Sequence, residues 1–321
     1  MTLRSSDAPV TPLTVSDLFA TKRESLELEV LTPEVPLDGV IANPDISSPG
    51  LALSGFTQRF VAGRPQVLGE TEMTYLATLG AVELRLRLAT LLSFEIPVLF
   101  VTKGLAVPSV LTELATEAEV PVIRSRVTTK DFFFRIKPFL ESALAPTTHL
   151  HGSLADVYGV GLLFIGKSGV GKSECVLDLV ERGHRLVADD LVLASRRGSD
   201  VLIGRGHPLQ RHHMEIRGVG IIDIQKLFGV RAIRQQKRIE VIVQLEHWDE
   251  THNYTRTGLD QETTEVLGVE LPQVTVPLNP GKNITVISEV VAMNHLLRFS
   301  GVDSAKAFDQ HLRSYLEQDF E

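Results

Sequence analysis

The sequence predicts a two-domain α/β protein, with an N-terminal α/β domain over residues 1–145 and a C-terminal phosphate-loop (P-loop) domain over residues 146–321. Three observations carry that prediction. A chain of 321 residues exceeds the usual size of one domain, and each half is long enough to bury its own core without disulfides or metals. In the first half, short β-rich runs alternate with helical patterns, as α/β layering requires. In the second, an apolar run leads straight into Gly166-Lys167-Ser168-Gly169-Val170-Gly171-Lys172-Ser173, and a helical pattern follows. That is the strand–loop–helix setting of a phosphate-binding loop.

Residues 26–31 and 98–101 have the composition of strands, and 72–92 and 129–144 have helical periodicity. From Ala143 to Thr148 a proline sits among small and polar residues, which marks a linker and places the domain boundary near 145. Beyond it, 159–165 is a buried strand, 173–182 a helix ended by Gly183, and 185–188 a second strand. Residues 239–245 supply a further strand, looser β material extends to Val286, and 289–316 is helical. The sequence contains no internal repeat and no low-complexity segment.

Composition excludes several classes. Hydrophobic residues make up 43% and charged residues 22%, values of an ordinary globular protein. The most apolar region, 88–110, is interrupted by Glu95, Pro97 and Lys103, so no membrane span is expected. The N-terminus lacks a basic-then-apolar signal pattern, which leaves the cytoplasm as the expected location. The only cysteine, Cys175, falls in the apolar periodicity after the P-loop and is expected to be a small buried residue. Net charge is −8, split evenly at −4 on each side of residue 145, so nucleic acid is not an expected partner. One basic stretch, from Lys226 to Arg238 with Arg231, Arg234 and Lys237 between, reads as a solvated face or as a dock for an acidic partner.

The eight loop residues Gly166 to Ser173 have the pattern G-x-x-x-x-G-K-[ST]. Its glycines let backbone N–H groups converge on phosphate oxygens, Lys172 neutralises the outer phosphates, and the Ser173 hydroxyl can ligate Mg2+. No N-K-x-D follows for guanine reading, and the D-x-x-G at Asp156–Gly159 precedes the loop, which argues against a GTPase. Motor-type ATPases take their magnesium carboxylate from a strand further along the chain. Here Asp189 and Asp190 arrive directly after the strand at 185–188.

Ligands in open α/β sheets bind at the carboxyl ends of strands, and neighbouring strand residues point to opposite faces. The two acids are therefore expected to differ in role, with Asp189 the candidate base for a hydroxyl attacking a terminal phosphate. Further on, Glu215 lies in a run of charge and glycine and could complete a magnesium site with Ser173. His207, His212 and His213 lack the companion spacing of a zinc site and read as surface histidines.

The segments GKSGVGKSE, RGHRLVADD, MEIRGVGIID and PGKNI, in this order, together with ISSPGLALSGF and QVLGETEMTYL in the first domain, resemble the bifunctional HPr kinase/phosphorylase family of bacteria. The resemblance spans nearly the whole chain. It implies that 146–321 is a P-loop kinase/phosphorylase domain phosphorylating a serine of the phosphocarrier HPr from ATP or pyrophosphate. In reverse, inorganic phosphate would remove the group and yield pyrophosphate. By that similarity Asp189 is base forward and acid in reverse, Lys172, His151 and Arg256 are active-site residues, and Asp190 joins Ser173 and Glu215 on the metal side. Lys282 stands where the family pattern has arginine. A homohexamer built through the C-terminal domain is also implied, with a regulatory or oligomer-supporting role for the first. The competing readings are a P-loop kinase of a small hydroxylated metabolite and a non-catalytic ATP- or phosphate-sensing module.

Overall fold

The computed structural model describes residues 12–249, 262–279 and 281–318, which fall into two compact units divided between Ala145 and Pro146. In the first unit β1 (Leu13–Thr14) leads into α1 (Val15–Lys22), whose start is fixed by a capping box between Thr14 and Asp17. Next come β2 (Leu28–Val30), β3 (Val40–Ile41), α2 (Gly50–Leu53) and β4 (Gln66–Leu68). The 72–92 helical run is two helices, α3 (Glu70–Ala77) and α4 (Ala81–Leu92), because the backbone of Gly80 is extended and restarts the helix. β5 (Leu99–Val101), α5 (Ser109–Glu117), β6 (Val122–Ser125) and α6 (Thr129–Ala143) complete the unit.

The sheet order is β2-β6-β5-β4, with β4, β5 and β6 parallel and β2 antiparallel to β6. Its strands are buried on both faces. Leu68, Leu99, Val101 and Val122 face α3, α4 and α5, while Val67, Phe100 and Ile123 face α1 and α6. In α6, Phe132, Ile136 and Leu140 repeat every fourth residue and fill that second layer, with Phe132 and Phe100 at 4.9 Å between ring centroids.

The second unit opens with β7 (Thr147–His151), β8 (Ser153–Val157) and β9 (Val160–Gly166). Tyr158 and Gly159, both at positive φ, form the tight turn between β8 and β9. After the P-loop come α7 (Lys172–Glu181), β10 (Arg185–Ala188), β11 (Leu191–Arg197) and β12 (Val201–Gly206). β13 (His213–Ile216) and β14 (Gly220–Asp223) form a separate hairpin, followed by α8 (Ile224–Phe228), β15 (Gln236–Arg238), β16 (Val241–His247), β17 (Glu262–Val266) and β18 (Val269–Leu278).

Two helices end the described chain, α9 (Ile284–Phe299) and α10 (Ser304–Gln318). Strand character does not reach Val286, because the Asn283 side chain accepts from the Val286 N–H and starts α9. Nor is 289–316 one helix, since the chain turns at Gly301, φ +89°.

A six-stranded sheet, β10-β8-β9-β16-β18-β17, forms the centre of this unit, and β9, β16 and β18 are parallel within it. One face packs on α7 and α9 through Phe164, Val176, Leu179, Val243 and Ala292. The other packs on a four-stranded antiparallel sheet, β15-β12-β11-β7, through Leu154, Leu163, Ile242, Leu150 and Val192. The core is thus layered helix, sheet, sheet. Among the described residues no helix is long and apolar enough to cross a membrane.

Charged groups also fasten this unit. Arg234 pairs with the buried Asp156 at 2.6 Å, and Lys237 with Glu240 at 2.6 Å. The basic stretch is therefore no uniform solvated face, because two of its cations serve internal pairs. At the C-terminal end of α7, Gly183 and His184 close the helix through N–H bonds to Val180 and Leu179. Just beyond, Arg182 grips buried Glu289 of α9 with two hydrogen bonds of 2.8 and 2.7 Å, and His184 approaches it at 3.1 Å.

The Arg182 hydrogen bonds hold the Glu289 carboxyl down, from 4.5 to about 2. A carboxyl whose folded pKa lies below its unfolded one stabilises above the unfolded value and loses that contribution as pH falls through the folded one. Glu289→Gln should therefore flatten the fall in stability between pH 4.5 and about pH 2. Urea unfolding of both proteins across that range measures the effect.

Candidate active site

β9 delivers the chain to the P-loop beside β16, whose pairing sets Gly166 opposite Leu245. A Cβ on Gly166 would stand 2.3 Å from the Leu245 carbonyl oxygen, at φ +146°, so the position has room only for glycine. Gly169 and Gly171 also take positive φ and turn the loop, and buried Val170 anchors its tip in the core. α7 begins at Lys172, which points the helix N-terminus and its unpaired N–H groups at the loop mouth. Lys172 Nζ donates to the carbonyls of Gly166 and Lys167, each at 3.3 Å, and so lies across that mouth.

β8 separates β10 from β9 and is antiparallel to both, so β10 and β9 run in the same direction. The acid pair consequently leaves the sheet at the same edge as the P-loop. Asp189 is buried, and its Oδ1 accepts from Ser153 Oγ at 2.5 Å and from Ser173 Oγ at 3.0 Å. Burial pushes this carboxyl above the ordinary range, opposed by the two serine hydroxyls and by backbone N–H groups of Glu215 and Asp190. Its Oδ2 is buried and has no hydrogen-bond partner.

Asp190 differs in every respect. It is exposed, at φ +63°, and its carbonyl is pinned by the Gly152 N–H at 3.1 Å.

These oxygens fit magnesium. Ser173 Oγ beside a buried carboxylate with an unpartnered oxygen is a hard-oxygen donor set. Among the described residues no three His, Cys, Asp or Glu side chains converge on one point. Magnesium needs no such cage, since it keeps several waters and takes substrate phosphates as ligands.

The structure brings most of the sequence-predicted residues together. His151 ends β7 directly opposite Leu191, which places it next to Asp190, and its side chain is exposed. Glu215 sits in β13 with its side chain exposed. Arg256 lies outside the described residues. Lys282 Nζ donates to the Pro277 carbonyl at 3.2 Å, just before the Asn283 cap of α9.

Two residues given no role by the sequence reading also belong here. Ser153 is a fully buried hydroxyl at the head of β8, and a buried polar group needs a partner. Arg217 lies over the loop: a Cβ on Gly169 would stand 2.4 Å from its Nη1. Its position inside MEIRGVGIID shows no periodicity that marks it.

A phosphate loop and an acid pair at one sheet edge define a P-loop phosphoryl-transfer protein. More particularly, the chain belongs to the HPr serine kinase family: the model of the family's C-terminal domain matches residues 142–312 and that of its N terminus residues 13–140. An HPr kinase/phosphorylase of Chloroherpeton thalassium is 46% identical over 92% of this chain and 86% of that protein. One of Geobacter sulfurreducens is 44% identical over 95% of this chain and 96% of its own length. Among solved structures, the Hpr(Ser) kinase/phosphatase from Coxiella burnetii aligns with 50% of this chain and 97% of its own, at 31% identity and a TM-score of 0.45.

Gly166→Ala should cost about 1–3 kcal/mol of stability, from strain at an unsuitable φ and the clash with Leu245. It should also weaken nucleotide binding in the folded fraction. Thermal unfolding and calorimetric ATP titration measure the two effects.

Proposed function

We propose that this chain is a bifunctional HPr kinase/phosphorylase of the cytoplasm, moving a phosphoryl group between ATP or pyrophosphate and a serine of an HPr-type phosphocarrier. The observation that carries the reading is the 3.0 Å contact of Ser173 with buried Asp189 while Asp190 stands exposed beside them. One acid serves the phosphate side and the other is open to an acceptor. Family membership supports HPr as that acceptor.

In the forward direction the serine Oγ bonds to the terminal phosphorus and gives its proton to a carboxylate. The bond from that phosphorus to the bridging oxygen breaks, releasing ADP, or phosphate when pyrophosphate is the donor. In reverse, an oxygen of inorganic phosphate bonds to the phosphoserine phosphorus, the serine Oγ leaves with the proton, and pyrophosphate forms.

We assign the base to Asp190 and the magnesium side to Asp189, exchanging the roles expected from the sequence. Asp189 already accepts from Ser153 and Ser173, and the latter bond is the one a magnesium-side carboxylate makes in P-loop proteins. Asp190 has the exposure that a base for a protein serine needs, and His151 stands beside it at the rim. Lys172 and Arg217 hold phosphate oxygens, joined by Arg256, whose guanidinium suits bidentate contact. Magnesium, when bound through Ser173, Asp189 and Glu215, neutralises phosphate charge and aligns the donor. As the sequence resemblance implies, the reading includes a homo-oligomer, a hexamer built through the C-terminal unit, with the N-terminal unit supporting or regulating it.

Intact-mass spectrometry of an HPr-type carrier incubated with the protein, Mg2+ and ATP tests the reading. A gain of one phosphoryl group, reversed by phosphate with release of pyrophosphate, is expected. Asp190→Asn should lower turnover about 10²–10⁴-fold with ATP affinity retained, whereas Asp189→Asn should raise the magnesium requirement. The opposite pattern would return the base to Asp189. Phosphorylation of a small alcohol without any protein acceptor would sink the HPr reading.

A further inference from the structure

Beside the P-loop lies a second feature that the phosphoryl chemistry does not use. A cavity of about 570 Å³ opens at the carboxyl end of β16, beside the middle of β18 and the start of β17. Its wall includes Lys167 and Val170 of the loop itself, the amides of Gln244 and Gln273, and the Trp248 indole. Three carboxylates, Glu246, Asp249 and Glu262, also line it. The pairing of the strands sets Gln244 opposite Thr275 and Gln273 opposite Glu262, so these polar groups form a patch on the sheet.

We infer that this cavity holds the nucleoside of the phosphoryl donor, so that ATP is recognised at two adjoining places and pyrophosphate at one. The inference rests on the donor reading above and deepens it.

The chemistry of the wall selects this occupant. Three carboxylates oppose an anion, so the phosphate chain stays on the loop, and an uncharged group suits the cavity. Carboxylates also accept hydrogen bonds from ribose hydroxyls. Gln273 Oε1 already accepts from Thr264 Oγ1, which leaves its NH2 group to donate to a ring nitrogen, while a Gln244 amide has both donor and acceptor for a heterocycle edge. Thr275 Oγ1 donates to Glu262 Oε2 at 3.1 Å and holds that carboxylate at the wall. Trp248, 46% exposed, offers an indole face on which a base can stack. The volume lies within the usual 300–1,000 Å³ of small-molecule sites. Because Lys167 and Val170 belong to both wall and loop, one molecule can span the two without a gap.

The test compares donors. Initial rates of carrier phosphorylation would be measured with ATP and with pyrophosphate for the unsubstituted protein, Trp248→Leu, Gln244→Leu and Gln273→Leu. The expected result is a fall of about tenfold in the ratio of kcat/KM for ATP to kcat/KM for pyrophosphate. Most of it should appear in KM for ATP. An unchanged ratio in all three variants, with or without a loss common to both donors, would overturn the inference. Should the unsubstituted protein phosphorylate the carrier from neither donor, the functional reading fails instead. Calorimetric affinities for ATP against pyrophosphate in the same variants then decide the cavity on their own.

Discussion

Two hydroxyls from separate parts of the chain bond the buried carboxylate of Asp189: that of Ser153 at the head of β8 and that of Ser173 in the first turn of α7. A carboxylate taken out of water without such partners is costly and tends to neutralise. The fold therefore reaches its low-energy arrangement only when P-loop helix and central sheet meet at one oxygen. That requirement sets the register of the whole site. Ser173 is held against Asp189, and the residue after that aspartate takes a left-handed turn that exposes the second acid.

The glycines make the same point from the backbone side. A Cβ on Gly161 would stand 1.9 Å from the Arg238 carbonyl, and one on Gly152 2.4 Å from that of Phe164. Chain segments cross at these points with no side chain between them. Gly152 also donates to the Asp190 carbonyl, so tight packing next to His151 and the strained geometry of the exposed acid are one local arrangement.

Features written in short-range physics were legible in the sequence. The P-loop follows from an apolar strand, three glycines and a lysine, and β5 from the β-rich run at 98–101. Helix breaks were not legible where one residue decides them: Gly80 divides one run, Gly301 another, and the Asn283 cap begins a helix inside a stretch that reads as β. Of the site, the acid pair was visible as a spacing, but its division of labour depends on which hydroxyls lie within 3 Å, a long-range fact. Ser153, thirty-six residues from its partner, and Arg217, on a hairpin that returns to the loop, are functions of topology. Within the basic stretch, Arg234 is taken up by Asp156, seventy-eight residues away on β8, whereas Lys237 pairs with Glu240 only three residues on.

The ion pair between Arg182 and Glu289 acquires a mechanical meaning from where it sits. α7 carries the P-loop at one end, and at the other it is clamped to α9 by two charge-assisted hydrogen bonds. A strut fixed at both ends resists rotation and sliding, so an arriving phosphate meets N–H groups already aimed at it and spends little of its binding energy on ordering them. Compliance must then come from elsewhere. Among the described residues the β13–β14 hairpin pairs with no other strand and is seated instead through Met214 and Ile216 in the core, so any give at this edge runs through side-chain packing rather than a sheet ladder.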